Sequence, residues 1–461
     1  MDSAPAAVPH ALAARADAIV ADRLKAAAAI EPLPGRPAGT TAAALARSLS
    51  AGSAHADRFA AEIAAAVRGT ALALHAARPH PANLWAAAAA AHPDPSVWFE
   101  QAVLLGHPTH PLARSRGALT DDEIRAYAPE HAPRFDLGLF DMPRLDADAP
   151  WEAFDMAATD LPVHPWQAAR HRLPAPARTW PNAAPLMSLR TMSIGGVHVK
   201  TAVDLQLTSA VRHVSAAAAH NATVITRHLG APAARAAITL LPECAAIART
   251  EAGAPLPHLA AIVRRAPHAY GHPRAVPLAA LAEPCPATGR PIAAALAGDR
   301  LDTWWQALVP VVLAPLRLFA TTGVALEAHG QNTLASFTGD RPTALVYRDF
   351  GGIRVPAQDW PHLIGDLPEP DPRARSTKLL AALFPTTLTA LVDALATWTG
   401  TDPGQWWAAV ADAVRAMALP APVQAAVLRD PWPVKATTAM RLADDPVADL
   451  WAAVDNPLAA A

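Results

Sequence analysis

A polar loop that runs directly into a β-hairpin limits the possible folds of this chain most strongly. The loop ends at Asn332, and two segments with strand character follow it, residues 333–338 and 343–350, joined across a Gly-Asp-Arg-Pro turn. A hairpin returns the chain to its starting point, so Asn332 and Asp349 are predicted to approach one cleft. Strands are therefore expected here, in a chain that is elsewhere rich in alanine and helical periodicity.

The residue types in this loop and hairpin indicate a nucleotide site. Asn332 and Asp349 offer hard oxygen donors of the kind that hold Mg²⁺ together with phosphates. Glu327, His329 and Gln331 lie in the same loop. His329 could instead be a core histidine bonded to backbone, but the polar cluster favours a functional role. The sequence therefore predicts ATP and Mg²⁺ as ligands.

The tripeptide that begins at Asp349 matches the magnesium tripeptide of protein kinases, although three residues recur by chance. A kinase glycine-rich loop, a kinase catalytic loop, a P-loop and a dinucleotide fingerprint are all absent from the sequence.

A second hairpin is predicted around Gly195 and Gly196, between residues 186–194 and 197–203. A two-residue turn would pair Thr191 with Lys200 and place Arg190 and Lys200 on opposite faces, whereas a bulge would change that register. After it, Thr208 is predicted to cap a helix over residues 209–220. Arg212 would then lie near the positive end of the helix, a good place for a carboxylate or phosphate; the alternative is an arginine that faces solvent.

The loop 106–117 combines two histidines, His107 and His110, with Arg114 and Arg116 between prolines. Rigid backbone with cationic donors suits phosphate oxygens, and this interpretation is favoured over a metal site because further ligands are not apparent. His164 lies in a similar His-Pro motif, for which packing and binding are equally good explanations.

Composition excludes several classes of protein. The 461 residues carry 38 Lys plus Arg against 40 Asp plus Glu, so no overall charge favours nucleic acid or an acidic membrane. Two cysteines are too few for a disulfide framework, and we find neither a secretory signal nor a convincing membrane span. A soluble, cytoplasmic protein is expected. Lysine occurs at only four positions, so Lys200 and Lys435 are candidates for sites that require an ammonium group.

The order of these motifs resembles the aerobactin-synthetase-like (IucA/IucC) family, the NRPS-independent siderophore synthetases. The resemblance runs from about residue 100 to the C-terminus. Lysine is usual in the family at the position of Arg114, and typical members are longer. The motifs that carry the resemblance are His107 to Gly117, His164 to Gln167, Ser188 to Thr191, Lys200, Thr208 to Arg212, His329 to Asn332, Arg348 and Asp349, Lys435, Met440 to Leu442, and Asn456 to Leu458.

The resemblance implies an α+β fold of thumb, fingers and palm, with a distantly kinase-like palm. The N-terminal hundred residues lie outside the resemblance, but alanine and helical spacing from about Ala11 to Ala91 predict an alanine-rich helical N-terminal region. The implied divisions are a helical, thumb-like region (1–98), a fingers-like region with the ATP-phosphate hairpin (99–300), and a palm with a C-terminal helical region (301–461).

The resemblance also implies site roles. ATP phosphates would contact His107, Ser188, Arg190, Thr191 and Lys200. Thr208, Arg212 and His329 would bind the acid; Gln331, Asn332 and Asp349, with Glu327, would serve nucleotide and Mg²⁺. Arg212, His329 and Lys200 are the catalytic candidates.

The resulting hypothesis is an acid–amine ligase that adenylates a citrate-like carboxylic acid and condenses it with an amine or hydroxyl in siderophore or related natural-product biosynthesis, releasing AMP and pyrophosphate. The alternatives are a small-molecule kinase with the same palm and a catalytically silent family member. The expected partners are small-molecule substrates, neither nucleic acid nor membrane, and a homodimer is left open.

Overall fold

The computed structural model describes residues 7–142, 156–157, 159–207, 210–252, 254–445 and 449–460. Helices predominate at both ends of the chain. The helices are α1 His10–Ile30, α2 Ala42–Leu49, α3 Ala56–His75, α4 Leu84–Ala91, α5 Ser96–Ala102, α6 Asp121–Tyr127, α7 Pro165–Arg170, α8 Ala216–Arg235, α9 Leu278–Leu281, α10 Ile292–Ala297, α11 Leu301–Val312, α12 Ala314–Thr322, α13 Pro372–Ala381, α14 Thr389–Thr399, α15 Pro403–Arg415, α16 Ala421–Leu428 and α17 Thr437–Leu442.

The strands lie mainly between these helical regions, in mostly antiparallel sheets. They are β1 Phe135–Asp141, β2 Asp160–Val163, β3 Arg178–Pro185, β4 Thr191–Ile194, β5 Val197–Thr201, β6 Val203–Leu207, β7 Ala210–Arg212, β8 Ile238–Leu240, β9 Glu243–Glu251, β10 Ala254–Arg265, β11 Ala275–Pro277, β12 Thr333–Thr338, β13 Arg341–Tyr347, β14 Trp432–Lys435 and β15 Trp451–Val454. The fold therefore mixes helices with sheets, as predicted.

Two sheets position the predicted site. The larger has seven strands in the order β2-β1-β3-β4-β5-β10-β9, and the smaller has four in the order β11-β12-β13-β8. Apolar side chains from the small sheet and from helices α8 and α11–α15 form the largest buried core. Burial of this apolar surface is the main force that fixes the two sheets, and with them the polar ends of their hairpins.

The helical prediction for the N-terminal region is confirmed by α1, α2 and α3, which pack around Leu24, Leu45 and Phe59. Polar contacts join this region to the end of the chain. The Glu31 carboxylate accepts hydrogen bonds from the backbone N–H groups of Thr438 and Ala439, both at 2.8 Å. The N-terminal helices are thus joined to α17 near the end of the chain.

Both predicted hairpins are confirmed: β4 and β5 are shorter than predicted, β12 has the predicted bounds, and β13 begins and ends earlier than predicted. In the first, Thr191 pairs with Lys200, the register expected of a two-residue Gly-Gly turn. In the second, β12 pairs with β13 and the chain returns so that the Arg348 N–H donates to the Asn332 carbonyl at 3.0 Å.

The predicted helix over residues 209–220 is wrong in its start. Ala210–Arg212 is a strand paired with β6, and α8 begins at Ala216, where the Ser215 hydroxyl caps it by accepting from the Ala218 N–H. Thr208, the predicted cap, and Ser209 lie outside the described residues. Arg212 is therefore not at a helix amino end, and a helix dipole does not contribute to an anion site there.

Two helical stretches, Ile292–Thr322 and Pro372–Thr399, are long and apolar enough to cross a membrane by length and composition alone. More than half of each apolar stretch is buried inside the protein. Burial of that kind is typical of core helices in globular proteins.

Candidate functional site

An ion pair between the two hairpins forms the centre of the site. Lys200, in the middle of β5, donates from Nζ to both carboxylate oxygens of Asp349, at 2.6 and 2.7 Å. Asp349 follows β13 in an unusual backbone conformation, with φ of 70°. Burial would raise the pKa of Asp349, but Lys200 and Arg264 beside it hold this pKa well below its usual range. The carboxylate is therefore charged, and two distant segments meet at it.

Glu327 and His329 lie beside this pair. The His329 Nε2 is 4.0 Å from a Glu327 carboxylate oxygen, and the other Glu327 oxygen is 3.6 Å from Lys378 Nζ. Burial lowers the pKa of His329, so its imidazole is neutral near pH 7 and can accept a proton. Burial opposes ionisation of Glu327, but Lys378 and His329 outweigh it and lower its pKa.

Arg212 reaches the same group of residues from β7. Burial lowers its pKa, while the charges of Glu327 and Asp349 raise it. The guanidinium thus interacts electrostatically with two carboxylates and keeps its charge. A strand end, and not the predicted helix start, presents Arg212.

Gly352 allows the Glu327 carboxylate to approach the turn after Asp349. A Cβ at this position would lie 1.9 Å from a Glu327 carboxylate oxygen. The backbone and carboxylate can be this close only because residue 352 lacks a side chain.

The Arg190 side chain is turned towards backbone in this structure. Its Nη1 donates to the carbonyl oxygens of Arg212 and His213, both at 2.8 Å. Thr191 is buried, and its N–H donates to the Ser188 carbonyl at 2.8 Å, which shapes the turn before β4. Arg190 therefore holds the end of β7, next to Arg212, as well as lying close to Asp349.

The loop residues Gln331 and Asn332 are held by Arg348. Arg348 donates from Nε and Nη2 to the Gln331 carbonyl, at 3.1 and 2.8 Å, and forms a buried ion pair with Glu100 at 2.5 Å. Asn332 is buried at the start of β12. Arg348 thus supports the loop, while the adjacent Asp349 faces the cleft.

The arginines of loop 106–117 pair with a buried carboxylate of the protein and are not available to phosphate oxygens, so this part of the prediction is wrong. Arg114 and Arg116 are buried and pair with Glu130, at 3.3 and 2.5 Å. Their charges outweigh burial and lower the pKa of Glu130 to about 2. His107 is exposed, with its ring 6.1 Å from that of His110.

His164 has a packing role. Its Nδ1 accepts from the Trp166 N–H at 3.2 Å at the start of α7, and its ring lies 5.0 Å from that of Tyr127 and 5.6 Å from that of Phe135.

Sequence reasoning missed two features of the site. Glu243, at the start of β9, is buried and lines a small cavity together with Lys200 and Asp349. Lys378 lies between Glu327 and Asp449, 3.7 Å from the latter. The scarcity of lysine is a signal that could have found Lys378, because three of the four lysines lie on this row of carboxylates: Lys200, Lys378 and Lys435.

The oxygen donors fit a divalent ion that shares its ligands with phosphates. Asn332 precedes β12 and Asp349 follows its partner strand β13, and Gly352 allows the Glu327 carboxylate to approach the turn after Asp349. Within the described ranges, no group of three or more His, Cys, Asp and Glu residues is arranged to hold a metal by itself. Magnesium commonly uses one or two carboxylates and takes its other ligands from substrate phosphates and water.

Comparison with known sequences finds two family matches, each over part of the chain. Residues 96–283 match the IucA / IucC family, and this segment includes the hairpin of Thr191 and Lys200 and also Arg212. Residues 302–450 match a second description, "Ferric iron reductase FhuF-like transporter".

A curated relative is similar over part of its length. Staphyloferrin A synthase of Staphylococcus aureus is 26% identical over 326 residues, which cover 59% of this chain and 55% of the relative. The chain therefore spans about half the length of that curated relative.

The fold is shared with solved siderophore-related proteins. ATP-bound aerobactin synthetase IucA from a hypervirulent Klebsiella pneumoniae has a TM-score of 0.70 at 21% identity, covering 87% of this chain and 83% of that one. Petrobactin biosynthesis protein AsbB from Bacillus anthracis has a TM-score of 0.70 at 18% identity, covering 87% and 79%. Aerobactin synthetase IucC from K. pneumoniae has 0.66 at 21% identity, covering 91% and 86%.

Proposed function

We propose that this protein is an ATP-dependent ligase that activates a citrate-like carboxylic acid as an acyl-adenylate and condenses it with an amine or hydroxyl. The reaction would belong to siderophore or related natural-product biosynthesis. The match of residues 96–283 to the IucA/IucC family and the similarity to staphyloferrin A synthase support the proposal, as does the binding of ATP by one neighbour of the same fold.

The observation that carries the proposal is the convergence of Lys200, Asp349 and Arg212 in one cleft. Lys200 and Asp349 are bonded to each other, and Arg212 interacts electrostatically with Asp349. Two anionic reactants repel each other, so an enzyme that joins them needs fixed cations between them. These residues come from three different strands or strand ends, and they provide that arrangement without a covalent nucleophile.

In the proposed first step, a carboxylate oxygen of the acid attacks the α-phosphorus of ATP and pyrophosphate leaves. Lys200 and Arg190 are assigned to the phosphates, with Ser188, Thr191 and His107 as further contacts. Arg212 orients the acid, with His329 and Thr208 as further contacts, so that the two reactants meet in line. Gln331 is assigned to the nucleotide.

In the second step the amine or hydroxyl attacks the acyl carbon and AMP leaves. The incoming group must lose a proton. The neutral His329 imidazole, 4.0 Å from Glu327, is the residue assigned to accept it.

Asp349 and Asn332, with Glu327, would hold Mg²⁺ beside the phosphates. The ion would supply positive charge that neutralises the phosphates as the bond to phosphorus changes.

We further propose the thumb, fingers and palm division of the chain, with boundaries at residues 98 and 300 and a kinase-like palm. In that division Lys200 would lie in the fingers and Asp349 in the palm, so their ion pair would join the two regions.

A small-molecule kinase is the second candidate. It is favoured by one observation: the tripeptide at Asp349 follows a strand and faces a lysine from another sheet, as in phosphotransferases that bind Mg²⁺ and ATP.

The nucleotide product distinguishes the two candidates. The purified protein is incubated with Mg²⁺, ATP, a panel of di- and tricarboxylic acids that includes citrate, and hydroxylamine as a general nucleophile. The ligase forms AMP, pyrophosphate and a hydroxamate in the presence of one acid. Formation of ADP in place of AMP would support the kinase and overturn the ligase.

A further inference from the structure

Glu243 is a buried carboxyl group that makes no direct ion pair with any residue the structure describes. It is 2% exposed, and its Oε1 has no hydrogen-bond partner among the described residues. A buried polar atom without a partner costs about 1–3 kcal/mol, and more when it is charged. Such a group is expected to have a use in another state of the protein.

A β-bulge turns Glu243 towards the site. Strand β9 pairs Ala246 with Ile262 of β10, and the register then shifts so that Glu243 pairs with Arg264. Without the shift, Glu243 would lie three residues from Ala246 and point to the opposite face. With it, Glu243 lies on the face of Ile262, which itself pairs with Lys200. Bulges commonly re-aim a side chain next to an active site.

Glu243 lines the same small cavity as Lys200 and Asp349, with Phe350 and Asn221 on other sides. Burial and the charge of Asp349 raise the pKa of Glu243 to about 7, although the charges of Lys200 and Arg264 oppose this rise. In the structure Lys200 donates to both carboxylate oxygens of Asp349, at 2.6 and 2.7 Å. Lys200 therefore has two carboxylates within one cavity and is bonded to one of them.

We propose that Glu243 is a positioning residue. It pairs with Lys200 in place of Asp349 when Asp349 binds the magnesium ion of Mg–ATP. The exchange keeps the Lys200 ammonium paired and aimed at the phosphates while Asp349 becomes free for the metal. The inference rests on the proposed function, because it requires Mg–ATP to bind in this cleft. It assigns a role to Glu243 that the motifs of the family resemblance do not include.

Glu243→Gln tests this exchange, because glutamine has the same shape and loses only the charge. The thermal midpoint of the nucleotide-free protein is expected to stay the same or rise, since an uncompensated buried carboxyl is removed. Binding of Mg–ATP, measured by calorimetry, is expected to weaken by about tenfold, equivalent to about 1.4 kcal/mol. A merely structural role, for example as a partner of Arg264, predicts a lower thermal midpoint.

Glu283→Gln is the matched control. Glu283 is also a buried carboxyl with a raised pKa, but its carboxylate accepts the Leu104 N–H at 2.9 Å, and it is not among the residues that line the Lys200 cavity. This variant is expected to bind Mg–ATP like the wild type. Wild-type affinity in Glu243→Gln, or a lowered midpoint in the nucleotide-free variant, would overturn the inference alone. A wild-type protein that does not bind Mg–ATP would instead overturn the proposed function and this inference with it.

Discussion

Arg212 is the residue whose proposed role is most specific. Its guanidinium interacts with Glu327 and Asp349, whereas its backbone carbonyl accepts from Arg190 and would still do so in an alanine variant. We expect Arg212→Ala to lower turnover by about 100-fold or more, the loss typical when one fixed charge-stabilising donor is removed. Mg–ATP affinity should change little, because Lys200 and Asp349 remain.

Steady-state kinetics with calorimetry of nucleotide binding checks this prediction. Arg227→Ala, an exposed arginine on α8, is the control and should behave like the wild type. Equal losses of turnover and Mg–ATP affinity in Arg212→Ala would show that Arg212 belongs to the nucleotide site and does not bind the acid.

The turn after β13 shapes the site through the close approach of its backbone to Glu327, and a substitution at Gly352 tests this. A Cβ added at Gly352 would meet a Glu327 carboxylate oxygen at 1.9 Å, so Gly352→Ala must displace Glu327. We expect turnover to fall by about tenfold or more, since small displacements of positioned groups cost catalysis heavily.

Gly351→Ala is the neighbouring control. Its added Cβ would lie 3.5 Å from an Asp349 carboxylate oxygen, an ordinary contact. Turnover in this variant should stay close to wild type, as measured under the same conditions. Similar losses in both variants would mean that the turn itself, and not the Glu327 approach, is sensitive to substitution.

The two hairpins could be predicted at the level of elements because their signal is local. Alternating residues and a Gly-Gly turn fix the register that brings Thr191 opposite Lys200. The helix start at residue 209 could not be placed correctly, because tertiary contacts decide it: Asp204 accepts from His213 at 2.7 Å if the imidazole nitrogen is protonated, and Arg190 holds the carbonyl of Arg212. Those contacts favour a strand over local helix propensity.

Glu243 shows a different limit of sequence reasoning at the same scale. Its direction depends on a bulge between β9 and β10. A bulge shifts the pairing by one residue and moves a side chain to the other face of the sheet. The residue types in this segment do not predict the bulge. The prediction for the arginines of loop 106–117 was wrong for a related reason. Their buried partner, Glu130, lies outside that loop, so the motif alone does not reveal the ion pairs.

At the scale of the whole molecule, Glu283 links the segment after α5 to the region before α10. Burial raises its pKa to about 7, above the ordinary 4.5. Because the pKa of Glu283 is higher in the folded state, its stabilising contribution to the free energy of unfolding is complete below about pH 4.5. This contribution is lost as the pH rises through about 7. The contribution of this group to the free energy of unfolding should therefore fall over that interval.

Urea unfolding of wild type and Glu283→Gln between pH 5 and 8 checks this prediction. The difference in unfolding midpoint between the two proteins should shift in favour of the variant as the pH rises. A difference that does not change with pH would contradict the buried, protonated state of Glu283.

The central claim is that one cleft brings a carboxylic acid and ATP together so that the acid becomes an adenylate. Acid-dependent exchange of labelled pyrophosphate into ATP, without any nucleophile present, reports that step alone. We predict exchange with citrate or another acid of the panel, and its loss in Arg212→Ala. Exchange that persists in Arg212→Ala, or acid-dependent ADP formation without any exchange, would contradict the claim.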